Sequence, residues 1–198
     1  ALAELAGKYG IAVTAPLYPL APEAGVEETT GFALAYYRHY LESHAWPFAI
    51  GGDSAGAGLT SVTAMLARDA GLRLPSRILL ISPWLDAAAV DPAQPAIEPR
   101  DAMLRLRGIR DAGKLYARTL PVSDWRVSPI NGDWSGLPPI SLWTGGDDIL
   151  VTDARALRVK LPSISYEEQA GMMHDWPLLF FPESKAARAE MGALIAAG

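Results

Sequence analysis

A serine, a histidine and a carboxylate can together turn an alcohol into a nucleophile, and this sequence offers a place for each. Gly52-Asp53-Ser54-Ala55-Gly56 matches the pattern G-x-S-x-G. Flanking glycines let neighbouring backbone approach closely, so a serine at a sharp strand-to-helix turn presents its hydroxyl above the sheet. The N–H of Ala55, at the start of the helix that follows, points into the same space and can stabilise an oxyanion. A glycine-rich turn with an incidental serine is the bland alternative. A phosphate cradle is disfavoured, because no Lys-Ser or Lys-Thr follows the glycines. Serine is a poor nucleophile until a base takes its proton. Only His39, His44 and His174 are available. His39 falls inside a helical run and His44 at its frayed end, where solvated or packed side chains are the rule. His174 lies in Gly171-Met172-Met173-His174-Asp175-Trp176, a loop from which a side chain can reach across the end of a sheet. The third member must fix the imidazole tautomer and stabilise the imidazolium. Gly145-Gly146-Asp147-Asp148-Ile149-Leu150 offers either Asp147 or Asp148. Asp175 follows His174 directly, and its carboxylate would raise the histidine's pKa if it turned inward, although side chains of chain neighbours often point apart.

These residues need elements to hold them. Apolar runs predict strands at 11–15, 48–50, 77–81 and 140–143, with a weaker one at 164–167. Apolar spacing of three to four residues predicts helices over about 22–44, 55–70, 101–120, 152–160 and 183–195, and residues 1–8 read as the end of another. Strands that alternate with helices in this way argue for a mostly parallel sheet covered on both faces. Ser54, the aspartate pair and His174 each follow a strand. Residues 86–139 break the alternation, with Pro92, Pro95 and Pro99 making their first part irregular. A long excursion between parallel strands sits over the strand ends, where ligands bind. We therefore expect one partial domain over 1–198, with 86–139 as a cap or substrate region; a surface elaboration without function is the alternative.

Composition narrows the field. The 198 residues carry 17 Lys plus Arg against 22 Asp plus Glu, a net charge of −5, which supplies no phosphate-neutralising face and argues against nucleic acid as a partner. With half its residues hydrophobic, the chain can bury a sizeable core. It contains no cysteine, which removes disulfides, thiolate zinc sites and cysteine nucleophiles and is compatible with a cytoplasmic location. Three histidines argue against a histidine-rich metal site, and no cofactor is implied. No apolar run approaches the ~18 residues of a membrane span.

Serine, then acid, then histidine is the chain order of the α/β-hydrolase fold. The sequence resembles that fold's hormone-sensitive-lipase-like branch, the bacterial carboxylesterases in particular, over nearly its whole length. Tyr18-Pro19-Leu20-Ala21-Pro22-Glu23 is similar to the family's Y-R-L-A-P-E, with Pro19 in place of the arginine. Gly52–Gly56 has the G-D-S-A-G form. Ser82-Pro83-Trp84, Ser128-Pro129 and Gly136-Leu137-Pro138-Pro139 fall in the family's sequence of landmarks, and Gly171–His174 is similar to G-M-x-H. Asp148-Ile149-Leu150 aligns with D-P-L or D-I-L, which selects Asp148 over Asp147. The resemblance implies hydrolysis of carboxylic esters with small or medium acyl groups, through an acyl-serine and without a cofactor. Trp84 and Trp176 adjoin landmarks and are candidate pocket walls, with core packing as the alternative.

The chain also departs from the pattern. It contains no H-G-G-G, the loop that carries the family's other oxyanion donors. In the family's sheet a third strand lies between those that 11–15 and 48–50 would form. Omitting it would leave buried backbone groups unpaired at ~1–3 kcal/mol each. The expectation is therefore a fragment without the family's first three strands and N-terminal cap, nearly inactive alone, whose partners are a small ester and the N-terminal part of its own domain; a homodimer is compatible with this. Two rival functions use the same scaffold: ligand binding without turnover, and acyl transfer or amide hydrolysis. The plant gibberellin receptors, ligand-binding relatives of the family, lack the catalytic histidine, whereas His174 is present here. Glycoside cleavage by Glu27 with Glu28, or Glu167 with Glu168, is disfavoured because adjacent residues diverge.

Overall fold

The computed structural model describes residues 2–197. Four strands form one sheet in the order β1 (Ala49–Asp53), β2 (Arg77–Ile81), β3 (Ile140–Gly145) and β4 (Ser165–Gln169), and every neighbouring pair is parallel. Their C-terminal ends therefore share one edge, and the loops that follow β1, β2, β3 and β4 converge there.

The apolar runs at 77–81 and 140–143 are continuous rather than alternating because both faces of the sheet are covered. Ile78 and Leu80 of β2 and Ile140 and Leu142 of β3 pack with α3 (Ser54–Asp69) and α6 (Val151–Lys160). Leu79, Ile81 and Trp143 face the other way, onto Ala187 and Met191 of α7 (Pro182–Ala196). The first helix, α1 (Leu2–Tyr9), leans on α7 through an ion pair of 2.8 Å between Glu4 and Arg188. The second, α2 (Val26–Ser43), lies against α3 and begins where Glu28 accepts the N–H of Gly25 at 2.9 Å.

Residues 86–139 hold a short helix, α4 (Gln94–Ile97), a longer one, α5 (Leu106–Ala117), and a single turn at Pro129–Asn131. Leu106 and Ile109 pack against Ile149 and Leu150, which follow β3, with Trp84 beside them. The excursion thus rests on the loops at the C-terminal edge of the sheet. Asp153 ties it down, its Oδ2 accepting the N–H groups of Leu85 and Asp86 at 2.8 Å each.

Two expectations change. The predicted strand at 11–15 is not one: among the described residues the segment pairs with no strand, and it is mostly exposed. Its apolar run after a glycine looks like a strand, but a strand exists only as one side of a hydrogen-bonded ladder. The penalty for buried unpaired groups does not arise there, since these residues face solvent. The last strand lies at 165–169 instead of 164–167, because Ile164 still belongs to the turn before it, its N–H donating to the Leu161 carbonyl at 3.2 Å.

Candidate active site

The nucleophile candidate stands where β1 passes into α3. Ser54 has φ 50, in the left-handed region. A β-carbon on Gly52 would collide with the backbone of Gly56 and Ala57, so glycine is required for the turn to close. Gly56, in contrast, has only Asp53 and Tyr18 side-chain oxygens near its absent β-carbon, both at 3.9 Å. Of the two glycines in the motif, the first carries the steric argument. Asp53, the residue before the helix, makes no side-chain cap. The first N–H groups of a helix have no partner within it, so the Ala55 N–H stays available beside the Ser54 hydroxyl.

The acid and base candidates follow β3 and β4. Asp148 is fully buried, and its two oxygens have separate duties. Oδ1 accepts the Leu150 N–H at 2.8 Å, and Oδ2 accepts the Nδ1–H of His174 at 2.9 Å. Asp147 turns away and pairs with Arg100 at 2.8 Å. Of the two aspartates that sequence left open, the structure brings Asp148 to the imidazole. His39 and His44 are both exposed, one near Glu42 and the other stacked on Tyr40.

Three residues to which the sequence assigned no role position this half. Gly145 ends β3 where the loop bearing His174 crosses it; any β-carbon there would meet the carbonyl oxygens of Met172 and Met173. Asp101, 2% exposed, accepts the N–H of Ile149 at 2.8 Å and so anchors the loop that holds Asp148. Ser82, at φ 41 and fully buried, accepts the N–H of Asp175 at 2.9 Å and ties the loop after β2 to the one after β4. The paired glycines at 145–146 and the Ser82-Pro83-Trp84 landmark were the available hints, and Asp101 had none.

His174 is 3% exposed. Burial disfavours its charged form, but the hydrogen bond and charge of Asp148, with the charges of Asp175 and Asp101, outweigh this and raise its pKa above the ordinary value. Asp175 does turn inward: its Oδ2 lies 3.2 Å from Nε2. Burial pushes the Asp175 carboxyl up to about 7. Ser54 is half-buried at the same edge, and its Oγ makes no hydrogen bond to the imidazole, whose Nε2 faces Asp175.

Trp84 lines a cavity of about 130 Å³ next to Ala55, together with Leu20, Leu59, Tyr116 and Val127. Its backbone N–H donates to the Ser54 carbonyl at 3.1 Å. Trp176 does not line it. At 1% exposure it packs with Trp143, Leu79 and Met191 on the α7 face of the sheet, so the expectation of a pocket wall gives way to core packing.

Comparison with known proteins agrees with this arrangement. Residues 1–178 match the family described as "alpha/beta hydrolase fold". LipR of Mycobacterium tuberculosis is 35% identical over 200 residues, covering 96% of this chain and 64% of its own length. An acetyl-hydrolase of Streptomyces hygroscopicus is 33% identical, covering 94% of this chain and 65% of its own. Among solved structures, an esterase from the bacterial hormone-sensitive lipase family superposes with a TM-score of 0.92 at 29% identity, covering 98% of this chain and 68% of that one. The chain thus spans just under two thirds of the length of these curated relatives.

Proposed function

The chain belongs to the alpha/beta-hydrolase-fold family, and from that premise we propose that it is a serine hydrolase cleaving carboxylic esters of small to medium acyl groups. The observation that carries this reading is the buried bond of 2.9 Å between Asp148 and His174, formed at the sheet edge where the G-D-S-A-G serine opens a helix. The relatives named acetyl-hydrolase and esterase support the same chemistry.

Each residue then has one task. Ser54 Oγ attacks the ester carbonyl as its proton passes to His174 Nε2. The carbonyl oxygen becomes an oxyanion facing the Ala55 N–H, a donor that the turn holds ready and that need not reorganise. As the tetrahedral intermediate collapses, His174 returns the proton to the leaving alcohol, and Ser54 is acylated. A water, deprotonated by the same nitrogen, releases the acid and restores the hydroxyl. Asp148 stays ionised, holding Nδ1–H so that Nε2 is the basic edge. The cavity beside Ala55, walled by Trp84 and Tyr116, has room for a short acyl chain.

Losing one oxyanion donor costs ~2.7–4 kcal/mol of transition-state stabilisation. With no H-G-G-G in the sequence, we expect slow turnover from these 198 residues. The test is therefore covalent. A fluorophosphonate should label Ser54, as located by peptide mass spectrometry, and Ser54→Ala should abolish the label. An unlabelled, folded chain would favour ligand binding without turnover.

A further inference from the structure

The Nε2 edge of His174 is the atom that must receive the Ser54 proton, and in the structure it is taken. Asp175 Oδ2 lies 3.2 Å away, with the two side chains 3% and 14% exposed. The contact is built in. Asp175 sits at φ 56, so the chain bends sharply there, and its N–H is held by the fully buried Ser82 Oγ at 2.9 Å. Ser82 is itself fixed by its N–H to the Trp143 carbonyl at 2.8 Å, inside the sheet. The second carboxylate oxygen, Oδ1, is buried with no hydrogen-bond partner among the described residues. A carboxylate so starved of donors has the imidazole as its main compensation.

We propose that Asp175 is a positioning residue that holds the Nε2 edge of His174 in the resting site, so that Ser54 gains its base only when this carboxylate lets go. The proposal rests on the serine-hydrolase reading above.

The groups facing the imidazole are Asp148, Asp175 and Asp101, and those facing Asp175 are His174, Asp53 and Asp148. All except the histidine are acidic. The imidazolium donates Nδ1–H to Asp148 and has the Asp175 carboxylate at ion-pair distance from Nε2, so it is stabilised from both sides. Once both groups have lost their protons, a lone pair meets an acceptor-only carboxylate. Attraction becomes repulsion, Asp175 swings out, and the Ser54 hydroxyl can donate to the vacated nitrogen. Asp175 thereby moves the arming of the nucleophile to higher pH than Asp148 alone would set.

The test uses Asp175→Asn and Asp175→Gly, since asparagine and glycine are the residues best suited to a left-handed backbone. The three histidines are resolved by NMR titration of their imidazole protons, with His39 and His44 as references in the same spectrum. The His174 midpoint is expected to fall by about one unit in both variants, while the references stay in place. The acid limb of Ser54 labelling by fluorophosphonate should fall by the same amount, with wild-type and variant rates converging at higher pH. A His174 midpoint unmoved in both variants overturns the proposal, and so does a labelling limb that fails to follow the midpoint. Absence of label in all three proteins would instead count against the hydrolase reading, and the titration would still decide whether Asp175 holds the imidazole.

Discussion

Ser54 stands at the end of β1, a strand only partly buried, whereas Asp148 follows β3, all six of whose residues are buried, and His174 follows the partly exposed edge strand β4. The nucleophile's half is held locally. A left-handed residue, one glycine that admits close backbone contact, and one hydrogen bond from Trp84 account for its placement. The acid-base half is held by contacts between distant segments: Asp101 to Ile149, Ser82 to Asp175, and the 148–174 bond itself. One half is a short motif; the other is assembled by the folded chain. Damage should therefore be sharp and confined in the first, and should spread through packing in the second.

The largest effect tests the roles themselves. Ser54→Ala should lower the rate of ester hydrolysis by roughly 10⁴-fold or more, with the far-UV spectrum unchanged. Asp148→Asn should cost about 10⁴-fold through the wrong tautomer, and it should also lower the melting temperature, because a buried bond is disturbed. Equal melting temperatures for the two variants would break the comparison.

Smaller effects test the glycines. Gly145→Ala places a methyl group against the Met172 and Met173 carbonyls and must push the His174 loop aside. A misplacement on the order of 1 Å at the base costs about 100-fold in rate. Gly56→Ala meets nothing closer than 3.9 Å and should change labelling of Ser54 by less than about threefold. A Gly56→Ala loss as large as that of Gly145→Ala would show that the nucleophile's turn depends on more than its first glycine.

The mildest test is pH. The His174 pKa is raised above the ordinary value of about 6.5, with burial opposing and Asp148, Asp175 and Asp101 outweighing it. The charged histidine therefore contributes stability that is fully present below that ordinary value and is lost as pH rises through the folded pKa. Hydrolysis needs the uncharged base, so activity should climb across the same interval. Calorimetric melting temperature and labelling rate, measured together from pH 6 upward, should move in opposite directions. In Asp148→Asn both trends should flatten.

The sequence announced the local half and only part of the distant one. Ser54 and the Ala55 N–H stand out as candidates within five residues because the turn that carries them is set largely by those residues. His174 was found by elimination among three histidines and by its place after a strand. Asp147 and Asp148 were indistinguishable by chemistry, and the choice between them came from a family resemblance; the structure separates them because Arg100 draws one outward. The supports at Asp101 and Ser82 act on residues 48 and 93 positions away, beyond the reach of any spacing rule. The apolar runs at 77–81 and 140–143 were legible as strands because burial on both faces leaves them no other composition. The run at 11–15 misled because composition cannot state whether a partner strand lies alongside. Trp176 misled through adjacency to His174, since the single turn at 176–178 carries the indole into the core.

The φ of 50 at Ser54 has an evolutionary corollary. A non-glycine residue in such a conformation costs on the order of 1–3 kcal/mol, and a glycine there would recover much of it. Thermodynamic selection by itself would thus erode the hydroxyl. A lineage that stopped using this serine would be drawn toward glycine at position 54, and one that keeps the hydroxyl does so because reactivity outweighs a persistent pull toward a more robust but chemically silent protein.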